Sequence, residues 1–221
     1  MFKQIFNLFK SDSLYVQALE ECHEMLDIDL EMFQESIHVL RNQDDSKSKI
    51  DIAKTDIKIN KFERSVRRKV MTHLAVSGTD DLGSGLILIS VVTDIERIGD
   101  YTKNIYDLSK YYTKRLNGNE LEDDLKVVEE KVISLFQNSI KAFKEQDIDL
   151  ARKIMKDYKE DVSKQSDKIT NDIISGKVNM DADTATAIAM YSRYLKRIGA
   201  HSRNLISSVV NPFERIGYRE E

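Results

Sequence analysis

The sequence predicts an all-α protein built from two tandem antiparallel three-helix bundles that are related by an approximate twofold axis. Three observations support this prediction. The chain of 221 residues has one proline and eight glycines, which favours long helices with short connections. Apolar residues recur at three- and four-residue steps over long segments, as they do on one face of a helix. A segment of the first half also recurs 100 residues later, so the chain contains an internal repeat.

The internal repeat extends over more than one predicted helix. Residues 97–99 (Arg-Ile-Gly) recur at 197–199, and residues 33–37 (Phe-Gln-x-Ser-Ile) recur at 136–140. The two offsets, 100 and 103, nearly agree, which indicates one architecture that was copied. The predicted organisation is an N-terminal segment (1–10), a first repeat (11–116), a second repeat (117–212) and a C-terminal tail (213–221).

The boundaries of six helices follow from breaks in the apolar pattern. Residues 11–13 (Ser-Asp-Ser) supply N-cap chemistry for the first helix, residues 44–48 separate the first two helices, and Pro212 ends the last. Residues 77–85 form the clearest predicted loop. The predicted helices cover 14–42, 49–76, 86–114, 121–146, 149–175 and 183–210.

One spacing difference separates the two predicted bundles. The Asp-x-x-x-Asn pattern of residues 56–60 recurs at 167–171, but the second copy lies eleven residues closer to its following Arg-Ile-Gly segment. Eleven residues are about three helical turns. The second bundle is therefore predicted to be shorter between its fifth and sixth helices.

The two ends of the chain have amphipathic character. Phe2, Ile5, Phe6 and Phe9 share one helical face, which predicts a turn that packs on the bundle or a weak anchor on a membrane or partner. The tail after Pro212 is predicted to be mobile, with folding back of its apolar residues as the alternative.

Composition excludes several classes of function. A formal net charge of -4 with interspersed acids and bases indicates no basic face for nucleic acid. No apolar run approaches the roughly 20 residues that span a bilayer, and no signal peptide is evident, so we expect a cytoplasmic protein. Cys22 is the single cysteine, which excludes an internal disulfide and predicts a small buried side chain.

The sequence contains no recognisable catalytic constellation. The four histidines share no zinc-ligand spacing, and each is predicted to lie at the surface or its boundary. No nucleophile elbow or phosphate-binding loop is present, and Gly83-x-Gly85 lacks the residues that would make it one. We therefore expect a protein that is not an enzyme.

A pair of acidic residues on the third predicted helix is the strongest candidate site. Glu96 and Asp100 lie one turn apart, so their carboxylates share a face and could offer hard oxygen ligands to a cation. The alternative is a solvated face neutralised by Arg97 and Lys103, each three residues from Asp100. Three further oxygen-bearing residues share one face of the second helix: Asp56, Asn60 and Glu63.

The duplication and this acidic segment together resemble the PhoU family of phosphate-uptake regulators. Members of that family carry an acidic E/D-x-x-x-D motif on the third helix of each repeat, and residues 96–100 (Glu-Arg-Ile-Gly-Asp) match it in full. In the second copy the acidic positions are Lys196 and Ala200. An ammonium group repels a metal ion and alanine offers no ligand, so the second repeat is not expected to bind metal.

The resemblance implies a metal site in the first repeat and a regulatory function. The metal would be iron, zinc, manganese or magnesium, held by Glu96 and Asp100 with help from Asp56, Asn60 or Glu63. The implied partners are a phosphate ABC transporter subunit and a sensor kinase, and a homodimer is also implied. Two alternatives stay open: a detached regulatory domain of a sodium-phosphate symporter, and a metal-binding helical bundle.

Overall fold

A computed structural model describes residues 13–42, 47–77, 80–158 and 162–220. Seven α-helices and two short 3-10 helices account for most of these residues, which include no strand. The all-α prediction is confirmed. The N-terminal segment 1–10 lies outside the described residues. The α-helices are α1 (Leu14–Asn42), α2 (Ile52–Ser77), α3 (Leu82–Tyr111), α4 (Glu122–Glu145), α5 (Ile148–Tyr158), α6 (Lys164–Ile174) and α7 (Ala182–Val210).

Side-chain caps explain where the first two helices begin. The Ser13 hydroxyl accepts a hydrogen bond from the Val16 amide at 3.2 Å, as the N-cap prediction requires. Helix α2 begins at Ile52 and not at residue 49, because Asp51 acts as its cap and accepts from the Lys54 amide at 3.1 Å.

Helix α3 begins earlier than predicted. It starts at Leu82, so Gly83 and Gly85 belong to its first turn and not to a loop. The Gly85 amide donates to the Asp81 carbonyl at 2.9 Å. A Cβ on Gly85 would come within 2.9 Å of the Leu74 side chain, so this glycine allows α2 and α3 to approach closely.

The predicted fifth helix is two helices, α5 and α6. They lie on either side of residues 159–161, which are outside the described residues. A π-type turn at 162–163 precedes α6 and places Val162 in the core. Such a turn replaces the α-helical hydrogen-bonding pattern, and sequence periodicity does not reveal it.

The pseudo-twofold axis is marked by equivalent residues that contact each other. Phe33 and its equivalent Phe136 are both fully buried, with ring centroids 6.3 Å apart. Tyr101 and its equivalent His201 are stacked at 5.8 Å. The two repeats therefore meet through their first helices and through their third helices.

Polar groups also join the repeats. Arg41, at the end of α1, forms ion pairs with Glu122 at 2.7 Å and Glu129 at 3.1 Å. Near the axis, Asp94 of α3 contacts His201 Nδ1 of α7 at 2.7 Å. These contacts contribute to holding the two bundles together.

Two of the four histidines do not lie at the surface or its boundary, as was predicted for each of them. His201 and His73 are buried, with 9% and 8% of their surface exposed. His73 Nε2 lies 2.9 Å from an Asp81 carboxylate oxygen, as His201 pairs with Asp94. A carboxylate partner allows each ring to be buried, because it satisfies one ring nitrogen.

The C-terminal tail folds back, which corrects the prediction of a mobile segment. Glu220 accepts hydrogen bonds from Arg152 of α5, the shortest at 2.6 Å. The Gly217 amide donates to the Ser207 hydroxyl at 2.7 Å, and Ile216 packs against the core. The alternative interpretation, in which apolar residues of the tail fold back, holds for Ile216, whereas Phe213 keeps 41% of its surface exposed.

Candidate functional site

The acidic pair on α3, Glu96 and Asp100, is partly buried, and both carboxylates lie near Arg97. Glu96 and Asp100 have 13% and 34% of their side chains exposed. Arg97 Nη1 binds Asp100 Oδ2 at 2.9 Å, while its Nε lies 3.6 Å from Glu96 Oε2. The neutralisation predicted for Arg97 therefore holds. Lys103 pairs instead with Asp56, whose carboxylate accepts a hydrogen bond from its ammonium group at 2.9 Å.

Two of the three candidates on α2 line the same region. Asp56 and Glu63 have only 8% and 12% of their side chains exposed, and Glu63 pairs with Arg67 at 2.8 Å. Asn60 differs, because its side-chain amide donates to the Asp56 carbonyl of its own helix at 3.0 Å. The structure thus gathers carboxylates of α2 and α3 and gives Asn60 a local role.

A fifth carboxylate, which the motif did not reveal, lies beneath this pair. Asp29 of α1 is fully buried, and neither of its carboxylate oxygens has a hydrogen-bond partner among the described residues. A Cβ on Gly99 would lie 2.8 Å from Asp29 Oδ1, so the glycine between Glu96 and Asp100 makes room for this carboxylate. The sequence could have revealed Asp29 by its position, because it lies on the buried stripe of α1 between Leu26 and Phe33.

We name the five residues Asp29, Asp56, Glu63, Glu96 and Asp100 the acidic cluster. Burial, followed by the charges of Glu96, Asp56 and Asp100, holds the pKa of Asp29 well above its usual range. Burial also raises the pKa of Glu96, with Asp100 the next largest cause.

The acidic cluster has more acids than cations. The paired cations Arg67, Arg97 and Lys103 face five carboxylates. Carboxylate oxygens suit hard divalent or trivalent cations, and the unpartnered oxygens of Asp29 lack a positive counterpart. The donor set therefore fits a metal ion chemically. In the described part of the chain, however, no group of three His, Cys, Asp or Glu side chains is arranged so that it could hold a metal ion.

The corresponding position in the second repeat is neutral. Val132 occupies the place of Asp29 and is fully buried, and Lys196 and Ala200 replace Glu96 and Asp100. Lys196 Nζ binds both oxygens of Asp167, at 2.6 and 2.7 Å. The carboxylate of Asp167 is thus paired with a lysine of the same repeat.

The predicted shortening of the second bundle by about three turns is wrong. Helix α2 ends at Ser77, 22 residues before Gly99, and α6 ends at Ile174, 25 residues before Gly199, a difference of about one turn. Helix α7 has 29 residues against 30 in α3.

Fold and site together define a class of protein: a duplicated helical bundle in which one copy carries an acidic cluster. The PhoU domain model matches this chain twice, over residues 22–108 and 125–209. The chain therefore belongs to the PhoU domain family. The two matches fall in the two halves that the internal repeat distinguishes.

Two relatives are similar over most of their length. The "Phosphate-specific transport system accessory protein PhoU homolog" of Clostridium acetobutylicum is 29% identical, and the alignment covers 92% of this chain and 93% of that protein. The "Phosphate-specific transport system accessory protein PhoU homolog 1" of Thermotoga maritima is 24% identical, with coverage of 85% and 82%.

Solved structures share the fold. PhoU from Pseudomonas aeruginosa superposes with a TM-score of 0.80 at 20% identity, covering 91% of this chain and 97% of that one. The phosphate transport system regulatory protein PhoU from Streptococcus pneumoniae gives a TM-score of 0.75 at 19% identity, with 89% and 93% covered. No helix among the described residues is long and apolar enough to cross a membrane.

Proposed function

We propose that this protein regulates phosphate uptake and phosphate signalling from the cytoplasm, by contact with a phosphate ABC transporter subunit and a sensor kinase. The observation that carries the proposal is the match of both halves of the chain to the PhoU domain. The names of its two relatives, accessory proteins of phosphate-specific transport, favour this function over the symporter alternative.

The protein acts by binding and not by turnover. The long helices offer broad charged faces, and the buried histidines are engaged in helix packing. His73 pairs with Asp81, and His201 with Asp94, at contacts that hold helices together. A purified protein that hydrolysed a phosphate ester, with the rate abolished by one substitution, would contradict this part of the proposal.

Deletion and complementation test the regulatory function. Cells that lack the gene should take up phosphate, or express phosphate-starvation genes, when phosphate is abundant, and the wild-type chain should restore repression. Affinity capture of the tagged chain should recover a phosphate transporter subunit or a sensor kinase. Unchanged phosphate control in the deletion strain, together with no such subunit recovered, would refute the proposal.

We propose in addition that the acidic cluster holds iron, zinc, manganese or magnesium in the first repeat. Glu96 and Asp100 are the expected ligands, and Asp29, Asp56 and Glu63 are placed to assist. The supporting observation is the buried carboxylate of Asp29, which lacks a hydrogen-bond partner. A bound cation would supply positive charge to the cluster and tie α1, α2 and α3 together.

Elemental analysis tests the metal proposal independently of phosphate control. Protein purified without chelator or polyhistidine tag should contain metal, and the double variant Glu96→Ala with Asp100→Ala should lose it. Lys196→Ala changes the matching position of the second repeat and should leave the metal content unchanged. Metal absent from the wild type, or retained in the double variant, would contradict the proposal and favour a face neutralised by Arg97.

A further inference from the structure

Helix α2 carries a line of exposed residues on the side opposite its buried face. These residues recur at alternating steps of four and three, which places them in one row along the helix. We name as the α2 seam the five exposed residues Ile57, Lys61, Arg64, Arg68 and Met71. The α2 seam is about 21 Å long.

The charges of α2 are sorted between its two sides. The helix has seven basic residues and two acidic ones. Both acids, Asp56 and Glu63, belong to the acidic cluster, are largely buried and pair with cations. Every exposed charged residue of α2 is therefore basic, although acids and bases are interspersed along the sequence. A chain with a net charge of -4 thus presents a locally basic face.

The centre of the α2 seam lacks counter-charges. Lys61, Arg64 and Arg68 have no ion-pair partner among the residues that the structure describes. Like charges three and four residues apart repel each other along a helix. At the two ends of the seam, Ile57 and Met71 have 51% and 66% of their surface exposed to water. A surface with acids at its centre and apolar groups at its ends would therefore complement the seam.

The second repeat has α5 and α6 in place of α2, and their described residues form no such seam. The exposed charged residues of α6 are Lys164 and Lys168, and Lys168 pairs with Asp124. On α5 the exposed charges have both signs, with Asp149 beside Arg152. The fold common to both repeats therefore does not require a basic outer face at this helix.

The neighbouring helix α1 limits what can bind to the α2 seam. Glu20 and Glu24 of α1 are exposed, and Glu24 pairs with Lys58 of α2 at 2.8 Å, so these acids lie beside the seam. A planar anionic surface such as a membrane would meet these acids as well and would be repelled by them. An α-helix is only about 10 Å wide, so it can lie along the α2 seam alone.

We propose that the α2 seam docks an α-helix of the regulatory partner, with acidic residues at the centre of that helix and an apolar residue toward each end. This inference rests on the proposed function, in which the protein acts by contact with a transporter subunit or a sensor kinase. Alternating steps of four and three are the spacing at which two helices pack side by side. The apolar residues of the partner helix cover Ile57 and Met71, and its carboxylates meet the three basic residues between them.

Two fluorescently labelled helical peptides test the chemistry of the seam. The first carries leucine, glutamate, glutamate, glutamate and leucine at steps of four, three, four and three, and the second has the same composition in scrambled order. Fluorescence anisotropy should show that the first peptide binds the wild type about tenfold more tightly, and that salt of about 0.5 M weakens this binding severalfold. Equal binding of the two peptides would overturn the proposal.

Charge reversal tests whether the peptide binds on α2. A base-reversed variant (Lys61→Glu, Arg64→Glu, Arg68→Glu) should lose the acidic peptide. It should gain a peptide with lysines in place of the glutamates, which also shows that the variant is folded. A control variant changes the net charge equally at exposed lysines of the second repeat and should bind like the wild type (Lys141→Glu, Lys153→Glu, Lys156→Glu). Acidic-peptide binding that survives in the base-reversed variant would contradict the assignment.

Phosphate control in cells tests whether the partner uses the seam. In the deletion strain, the control variant should restore repression as the wild type does, and the base-reversed variant should not, at equal protein levels. Unchanged phosphate control in the deletion strain would count against the proposed function itself. A deletion phenotype that the base-reversed variant repairs as fully as the wild type would overturn the seam proposal alone.

Two other occupants of the seam have outcomes of their own. Vesicles that contain phosphatidylglycerol should bind the wild type no better than the base-reversed variant, and sedimentation should give both chains the same oligomeric state. Vesicle binding or self-association that the base reversal abolishes would assign the seam to a lipid surface or to a second copy, and the proposal would then be wrong.

Discussion

The two repeats place opposite chemistry at the same point of the same fold. In the first, Glu96 and Asp100 flank a glycine that lies against the buried carboxylate of Asp29. In the second, Val132 occupies the place of that carboxylate, and Lys196 is paired with Asp167. One repeat therefore keeps an excess of acid, while the other is neutral and apolar at its centre.

This difference separates what the fold needs from what it only accommodates. The second repeat shows that a three-helix bundle of this family packs with an apolar residue at the central position. The fold therefore does not require the buried carboxylate of Asp29. A buried acid without a hydrogen-bond partner costs stability, which favours the interpretation that it is kept for a ligand.

The largest effect on stability is expected when an aspartate is placed at position 132 of the second repeat, which lacks the other carboxylates of the acidic cluster. Val132→Asp should lower the free energy of unfolding by about 3–5 kcal/mol, because it buries an unpaired charge in an apolar site. Urea denaturation at neutral pH measures the change. Val132→Asn, with a neutral side chain of the same shape, should cost less. Equal costs for the two variants would show that the position is solvated, contrary to its complete burial.

The reverse exchange should stabilise the metal-free protein. Asp29→Val introduces the residue of the second repeat and removes two buried oxygens without partners. We expect a gain of about 1–3 kcal/mol in unfolding free energy in the presence of chelator, the usual cost of an unsatisfied buried polar group. A loss of stability would mean that Asp29 makes favourable contacts that the structure does not contain.

Gly99 should tolerate no side chain while the acid is present. Gly99→Ala places a Cβ 2.8 Å from Asp29 Oδ1 and should cost about 1–3 kcal/mol by overpacking, even though alanine favours helix. The control is Gly83→Ala, where a Cβ meets nothing within 4 Å, and it should be neutral or slightly stabilising. Thermal denaturation of both variants decides, and a neutral Gly99→Ala would show that α1 and α3 can separate at no cost.

The buried carboxyl group of Asp29 should also make the stability of the protein depend on pH. The folded pKa of Asp29 lies above its ordinary value of 3.8, so its contribution is most favourable below about pH 4 and declines as pH rises. Asp29→Asn carries no titratable group at this position. The stability of the metal-free wild type, relative to that variant, should therefore fall as the pH rises above about 4. A relative stability that rises over this range would indicate a carboxylate paired with a cation.

Local patterns predicted the helices well and the environment of Asp29 poorly. The bounds of α1 follow from the spacing of its apolar residues and from Ser13, all of which are adjacent in sequence. The contact of Asp29 with Gly99 joins residues far apart in the chain, and it depends on how three helices pack. The π-type turn before α6 and the contact of Glu220 with Arg152 are likewise set by packing.

The most direct test of the asymmetry is a metal titration followed by unfolding. Adding the cation found by elemental analysis to about 100 times its dissociation constant should raise the unfolding free energy of the chelator-treated wild type by about 2.7 kcal/mol. The same addition should leave Glu96→Ala with Asp100→Ala unchanged and should stabilise Lys196→Ala as much as the wild type. Equal stabilisation of the double variant and the wild type would contradict the account, because the acidic cluster would then not be the site that binds metal.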